Sequence, residues 1–304
     1  MKKSNDIQAL YFITLLVTLA SCSGIAFIKQ DELYISKEDL IEEDPITTRI
    51  SGYSRVESRE GFKLVWKDEF DGNEIDGFNW QHLIDGDGGG NNELQYYTKS
   101  KANSFVKNGL LHIKATEQSS PLHGCNYTSA RLHSRGQANW KYGRFDIRAK
   151  LPVQKGIWPA IWMLPKHNTY GSWPQSGEID IVETIGHEPK NIYGTIHYGQ
   201  KWPNNLHTGD TTQLTKGDVS QAFHLYSVEW DSEEIRWYLD DKLFASKTKH
   251  NLAPHRWPFD QPFYLILNLA VGGNWPGNPD KETVFPKYMF VDYVRVYQKN
   301  EKKS

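Results

Sequence analysis

The sequence predicts an all-β protein, a two-sheet antiparallel sandwich that takes up most of the 304 residues. Three observations predict it. From Phe62 onward, short runs rich in Val, Ile, Tyr, Phe and Trp alternate with clusters of Gly, Asn, Asp and Pro. No stretch carries a long amphipathic helical period. Aromatic residues make up 13% of the chain, with 11 Trp and 16 Tyr, enough to fill a β core and to line a wet, half-apolar surface.

The strand candidates are, in order, FKLVWKDEF, GLLHIKATE, YGRFDIRAKL, EIDIVETIG, IYGTIHYG, FHLYSVEW, EIRWYLDDKLF, PFYLILNLAV and MFVDYVRVYQ. YGRFDIRAKL alternates, with Phe145, Ile147 and Ala149 on one face and Asp146, Arg148 and Lys150 on the other. EIRWYLDDKLF reads as a hairpin that turns at Asp240-Asp241. The last strand ends near Gln298, and residues 299–304 form a charged tail.

The N-terminus has a different texture. Lys2 and Lys3 precede a short apolar run from Ala9 to Ala20, the length of a signal-peptide core. Leu19-Ala20-Ser21-Cys22 then reads as a lipobox, with lipid on the Cys22 thiol. Residues 1–21 are thus expected to be a lipoprotein signal peptide and 22–59 an acid-rich, lipidated tether. The folded domain is expected over 60–298. This pattern places the protein in a bacterial cell envelope, attached to a membrane only through its lipid. If Cys22 is lipidated, Cys125 stands alone, and neither an intramolecular disulfide nor a cysteine-rich metal site is available. The net charge of −2 gives no field to recruit nucleic acid and suits a neutral partner. A monomer is expected.

The sharpest local feature is Gly177-Glu178-Ile179-Asp180-Ile181-Val182-Glu183-Thr184. In a regular strand Glu178 and Asp180 share a face and Glu183 points away. Ile181 and Val182 are adjacent and both apolar, which also breaks the alternation. A one-residue bulge between Asp180 and Glu183 restores the phase and puts all three acids on one face. Three carboxylates on one face are costly to ionise together. Cleavage of a glycosidic bond uses such an arrangement: one protonated carboxyl assists the leaving oxygen and one carboxylate acts as base or nucleophile. Calcium ligation is the competing use of a carboxylate trio, but the strand lacks the turn of a calcium loop.

At this motif the sequence resembles glycoside hydrolase family 16, and its laminarinase-like members in particular. The resemblance covers about residues 62–298. It rests on WKDEF (66–70), GNNELQYYT (90–98), YTSARL (127–132), YGR (142–144), GIWPAIWMLP (156–165), GTIHYG (194–199) and NLAVGGNWPG (268–277), in the family's order. It implies a β-jelly-roll with a concave substrate cleft and a retaining double displacement, with no cofactor for catalysis. Glu178 matches the nucleophile, Asp180 the assisting acid and Glu183 the acid/base. The extra residue before Glu183 resembles the bulged form of laminarinases and of agar- and carrageenan-cutting members, not the unbulged lichenase form.

The resemblance further implies an endo-acting enzyme on β-1,3-glucan, with mixed-linkage β-1,3/1,4-glucan as a possible second substrate. A hydrolase of an algal galactan and a non-catalytic surface glycan-binding lipoprotein are the alternatives. Asn92 and Arg131 match positions that hydrogen-bond sugar on the glycone side, and His197 is placed toward the leaving group. Trp158 and Trp162 are candidates for a sugar platform, Trp173 for the cleft rim, and Asn274 and Trp275 for a cleft wall. Glu69, the backbone of Gly109 and Asp292 match positions where the family often holds one structural calcium. The same residues equally suit a salt link between the first and last strands. One departure is visible: residues 86–90 read Gly-Asp-Gly-Gly-Gly, where a Trp is often found.

Overall fold

Seven strands of one sheet carry the acids, and ten strands of a second sheet back them. The structure is a computed structural model and describes residues 51–300. Cys22, the signal peptide and most of the expected tether lie outside the described residues. No helix among the described residues is long and apolar enough to cross a membrane.

The strands are β1 (Phe62–Asp68), β2 (Gln81–Leu83), β3 (Gln95–Tyr97), β4 (Ser104–Lys107), β5 (Leu110–Leu122), β6 (Cys125–Ser129), β7 (Arg131–His133), β8 (Gly143–Lys150) and β9 (Ile157–Pro165). They continue with β10 (Glu178–Glu183), β11 (Asn191–Gly199), β12 (Asn205–Gln213), β13 (His224–Trp230), β14 (Glu234–Leu239), β15 (Lys242–Thr248), β16 (Phe263–Val271) and β17 (Lys287–Lys299). A single helical turn, Lys249–Leu252, interrupts them. The seven-stranded sheet runs β12-β11-β10-β9-β16-β7-β2. The second sheet runs β15-β14-β13-β8-β17-β5-β6-β3, with β1 added to β17 and β4 to β5. Sequence neighbours are often not sheet neighbours, as a jelly-roll requires.

The core lies between the two inner faces. Phe145, Ile147 and Ala149 of β8, Ile179, Ile181 and Val182 of β10, and Leu265, Leu267 and Leu269 of β16 belong to one buried cluster. Burial of this much apolar surface, at about 25 cal/mol per Å², supplies the main drive to fold. The β14–β15 hairpin turns at Asp240 and Asp241, whose φ of 50° and 61° match a tight I′ turn.

One expectation needs correction. The charged face of β8 is covered, with Arg144, Asp146, Arg148 and Lys150 all buried. What buries them includes the segment expected to be free tether. Tyr53 donates its backbone N–H to Phe223 O at 2.7 Å, and Arg148 donates to the carbonyls of Ser51 and Tyr53. Residues 51–59 therefore belong to the folded domain. The arginines and aspartates that hold them are far apart in sequence, so no local pattern announces the contact.

Candidate active site

β10 is where regular pairing fails. Against β9, Asp180 pairs with Trp162 and Val182 with Ile161, so two steps on β10 oppose one on β9. Against β11 the register likewise slips between Asp180 and Glu183. Ile181 is the extra residue, and both it and Val182 are buried in the core. This is the bulge that parity requires, and it turns Glu178, Asp180 and Glu183 to the outer face of the seven-stranded sheet. The carbonyl of Asp180 is satisfied from the other sheet, by the indole N–H of Trp237.

Pairing then places the other residues in rows across the sheet. Asp180 lines up with Trp162, Ile266, His133 and Gln81 in one direction and with Thr195 in the other. Glu183 lines up with Ala160, Asn268 and Arg131, and on its other side with Tyr193. Glu178 lines up with His197 and His207. Each step is one strand spacing, about 4.8 Å. The acids thus stand between a long arm over β9, β16, β7 and β2 and a shorter one over β11 and β12.

Each glutamate has its own indole. Trp173 Nε1 donates to Glu178 Oε2 at 2.7 Å, and Trp158 Nε1 donates to Glu183 Oε1 at 3.0 Å. His197 Nε2 lies 3.3 Å from Asp180 Oδ2 and 3.7 Å from Glu178 Oε1. Burial, and then the Asp180 carboxylate, push Glu178 up to about 8. The same two causes push Glu183 well above the carboxylate range. His197 and Trp173 pull Glu178 back toward ionisation. Burial alone would lower His197, but Asp180 and the two glutamates more than offset it and raise the imidazole to about 9. His197 and Trp158 likewise pull Glu183 back, so the two glutamates differ in geometry: His197 lies within ion-pair reach of Glu178. Glu178, Asp180 and His197 also offer ligand atoms close enough together to hold a metal. Within this trio His197 bridges Asp180 and Glu178.

The platform residues are tied together behind the acids. Trp162 Nε1 donates to Asn268 Oδ1 at 2.6 Å, and the Arg131 guanidinium lies over the Trp162 ring at 4.6 Å. Asn268 donates to Tyr97 Oη, and Tyr97 and Gln95 both donate to Glu93 Oε2. Glu93 carries a carboxyl raised by burial. Sequence reasoning quoted its motif but gave it no role. It also explains the glycine loop: a Cβ on Gly89 would sit 2.6 Å from Glu93 Oε1, and Gly89 has φ of 58°.

Asn92 and Asn274, expected to touch sugar, bond to each other at 2.8 Å and join the two loops of one cleft wall. Trp275 extends that wall, with its ring against Trp158 and Tyr193. His133 and Gln81 continue the Asp180 row, on three-residue strands too short to show a period in the sequence. The Nδ1 atom of His133 is buried without a hydrogen-bond partner.

The expected calcium residues form something else. Glu69 Oε1 and Oε2 accept from Arg295 Nε and Nη2 at 2.7 and 2.8 Å, and Arg55 also donates to Glu69. Asp292 Oδ2 accepts from Arg148 at 2.8 Å. Gly109 occupies the tight left-handed turn between β4 and β5, with φ of 72°. Calcium requires six to eight free oxygen ligands. Carboxylates already engaged by three guanidinium groups do not fit it, and the alternative of a salt link prevails.

Comparison with known proteins agrees with this architecture. The profile of glycosyl hydrolases family 16 matches residues 91–291. A β-glucanase of Rhodothermus marinus is 45% identical over 257 residues, covering 81% of this chain and 89% of that protein. Glucan endo-1,3-β-glucosidase A1 of Niallia circulans is 42% identical over 260 residues, which are 78% of this chain and 38% of that longer protein. The laminarinase catalytic domain of Thermotoga maritima superposes with a TM-score of 0.73 at 45% identity, covering 80% of this chain and 100% of that one. With a two-sheet sandwich, a bulged acid strand and these relatives, the chain belongs to glycoside hydrolase family 16.

Proposed function

We propose that the enzyme is a retaining endo-β-1,3-glucanase, with Glu178 as nucleophile and Glu183 as acid/base. The observation that carries the role assignment is the asymmetry of the two glutamates. Glu178 faces the His197 imidazole and the Trp173 N–H, both of which stabilise a carboxylate. Among the described residues Glu183 has no such imidazole contact, and burial and Asp180 raise its carboxyl well above the carboxylate range.

In the first step Glu178 attacks the anomeric carbon as the glycosidic bond breaks, and Glu183 gives its proton to the leaving oxygen. In the second, Glu183 takes a proton from water, and the water oxygen displaces Glu178 from the same carbon. Asp180 lies between the two; its carboxylate favours their protonated forms, and His197, which it holds, offsets that charge. The names of the relatives above, a β-glucanase, a glucan endo-1,3-β-glucosidase and a laminarinase, support β-1,3-glucan as substrate.

The test is incubation with laminarin, barley mixed-linkage glucan, agarose and carrageenan, with the anomer followed by NMR. Laminarin is expected to yield a spread of oligosaccharides, released first as the β anomer. Cleavage of the galactans alone would remove the glucan assignment, and binding without new reducing ends would make the protein a glycan-binding module.

The lipobox supports a second element of the proposal, attachment of the enzyme to a bacterial envelope through lipid on Cys22. Labelled palmitate is expected to enter the wild-type chain and to be absent from Cys22→Ser.

A further inference from the structure

Residues 51–59 form a strap across the outer face of the ten-stranded sheet, the face away from the acids. Gly52 bridges to Phe223 and approaches it so closely that a Cβ would sit 2.1 Å from the Phe223 carbonyl oxygen. Tyr53 Oη donates to Asp241 at 2.7 Å. Arg295 donates to the Val56 carbonyl. Arg59 donates to Asp146 at 2.6 Å and to Asp241 at 2.8 Å. The arginines and carboxylates beneath and within the strap form two clusters: Arg55, Arg148 and Arg295 share Glu69 and Asp292, and Arg59 and Arg144 share Asp146, Asp241 and Glu229. In the first, three guanidinium groups face two carboxylates.

Arg55 holds the central position. It donates to Glu69 beside the end of β1, and its Nε lies 3.4 Å from Asp292 Oδ2 of β17. Its guanidinium also stands 5.4 Å from the Tyr293 ring. One cation thus joins the two carboxylates that were expected to hold calcium. Arg295 and Arg148 take those carboxylates from the other side. A divalent ion placed there would have to expel Arg55 and face two further guanidinium groups in a partly buried site, where charge repulsion is poorly screened. Burial would raise Glu69, but Arg295, Arg55 and Lys67 together hold it below the usual carboxylate range, as a permanent anion.

We infer that Arg55, delivered by the strap, is the resident cation at the junction of the first and last strands, and that this enzyme's fold is independent of calcium. The strap then has a structural role in addition to any role as linker. It closes the outer sheet with a covalently supplied charge, whose occupancy does not depend on the ionic composition of the medium.

The experiment is thermal unfolding of the full chain in EDTA and in excess calcium, with terbium luminescence as a direct probe of lanthanide uptake near Trp66 and Trp80. The wild-type midpoint is expected to be the same in both media, with no saturable terbium signal. Arg55→Met is expected to lower the midpoint by about 5 °C or more, because a part-buried ion pair loses one partner. Its kcat at temperatures below unfolding should be unchanged, since Arg55 is on the face opposite the cleft. Arg55→Lys keeps the charge but loses the planar fork, and should lower the midpoint by less; it serves alone if Arg55→Met does not fold. A calcium-dependent rise of the wild-type midpoint, saturable terbium binding, or variants as stable as wild type would each overturn the inference.

Discussion

The indole Nε1 of Trp237 donates to the backbone carbonyl of Asp180 at 2.8 Å. Trp237 stands on β14, in one sheet, and Asp180 on β10, in the other. The bulge at Ile181 interrupts the ladder beside this carbonyl, and a buried carbonyl without a partner is costly. The core side chain of the backing sheet therefore supports the backbone distortion that aims the acids. Gly194 makes room for it: a Cβ there would lie 2.6 Å from the Trp237 ring.

Replacing Trp237 by Phe should leave this carbonyl unpaired. The expected loss of stability is about 1–3 kcal/mol for the orphaned group, with a further cavity contribution. Urea denaturation measures it. If the bond supports the bulge, kcat falls as well under conditions where the variant is fully folded.

Glu183→Gln removes the proton donor. General acid assistance contributes about 10²–10⁴ in rate. Hydrolysis of glucan should fall by that order, whereas an aryl glycoside whose leaving group needs no proton should lose far less. Steady-state kinetics on both substrates gives the contrast, and equal losses would contradict the assigned role. For Glu178→Gln both substrates should fail.

The pH profile tests His197. Its imidazolium favours the ionised form of Glu178. Without it, as in His197→Ala, the Glu178 carboxyl keeps its proton to a higher pH. Activity requires that carboxyl ionised, so the acid limb of kcat/KM should move upward. A profile that keeps its position and changes only in height would assign His197 to packing.

The row from Asp180 through Trp162 and Ile266 ends on His133 and Gln81. Three strand spacings, about 14 Å, separate Asp180 from His133. That span suits sugars remote from the cleavage point. His133→Ala should raise KM about 2- to 10-fold for long oligosaccharides, the scale of one hydrogen bond. Substrates too short to reach β7 should be unaffected, which a series of graded chain length would reveal.

The all-β texture and the bulge were legible in the sequence because both are local. Parity alone shows that Glu178 and Glu183 cannot share a face without an added residue near Ile181. The supporting contacts were not legible for the opposite reason. Glu93, Tyr97 and Asn268 meet across more than 170 residues of chain, and each side chain alone reads as an ordinary polar position. The pairing of Asn92 with Asn274, 182 residues apart, was equally invisible. The alternation of β8 correctly separated its two faces. It could not reveal that the charged face is covered, since its cover comes from Tyr53, Arg55 and Arg59.

That cover gives the sandwich a front and a back. The carbonyl of Ser51, the first described residue, is held by Arg148 on the outer face of the ten-stranded sheet. The acids open on the outer face of the other sheet. A polymer lying along the acids therefore meets the side of the sandwich opposite the Arg148–Ser51 contact, and the enzyme can graze along it without disturbing the strap.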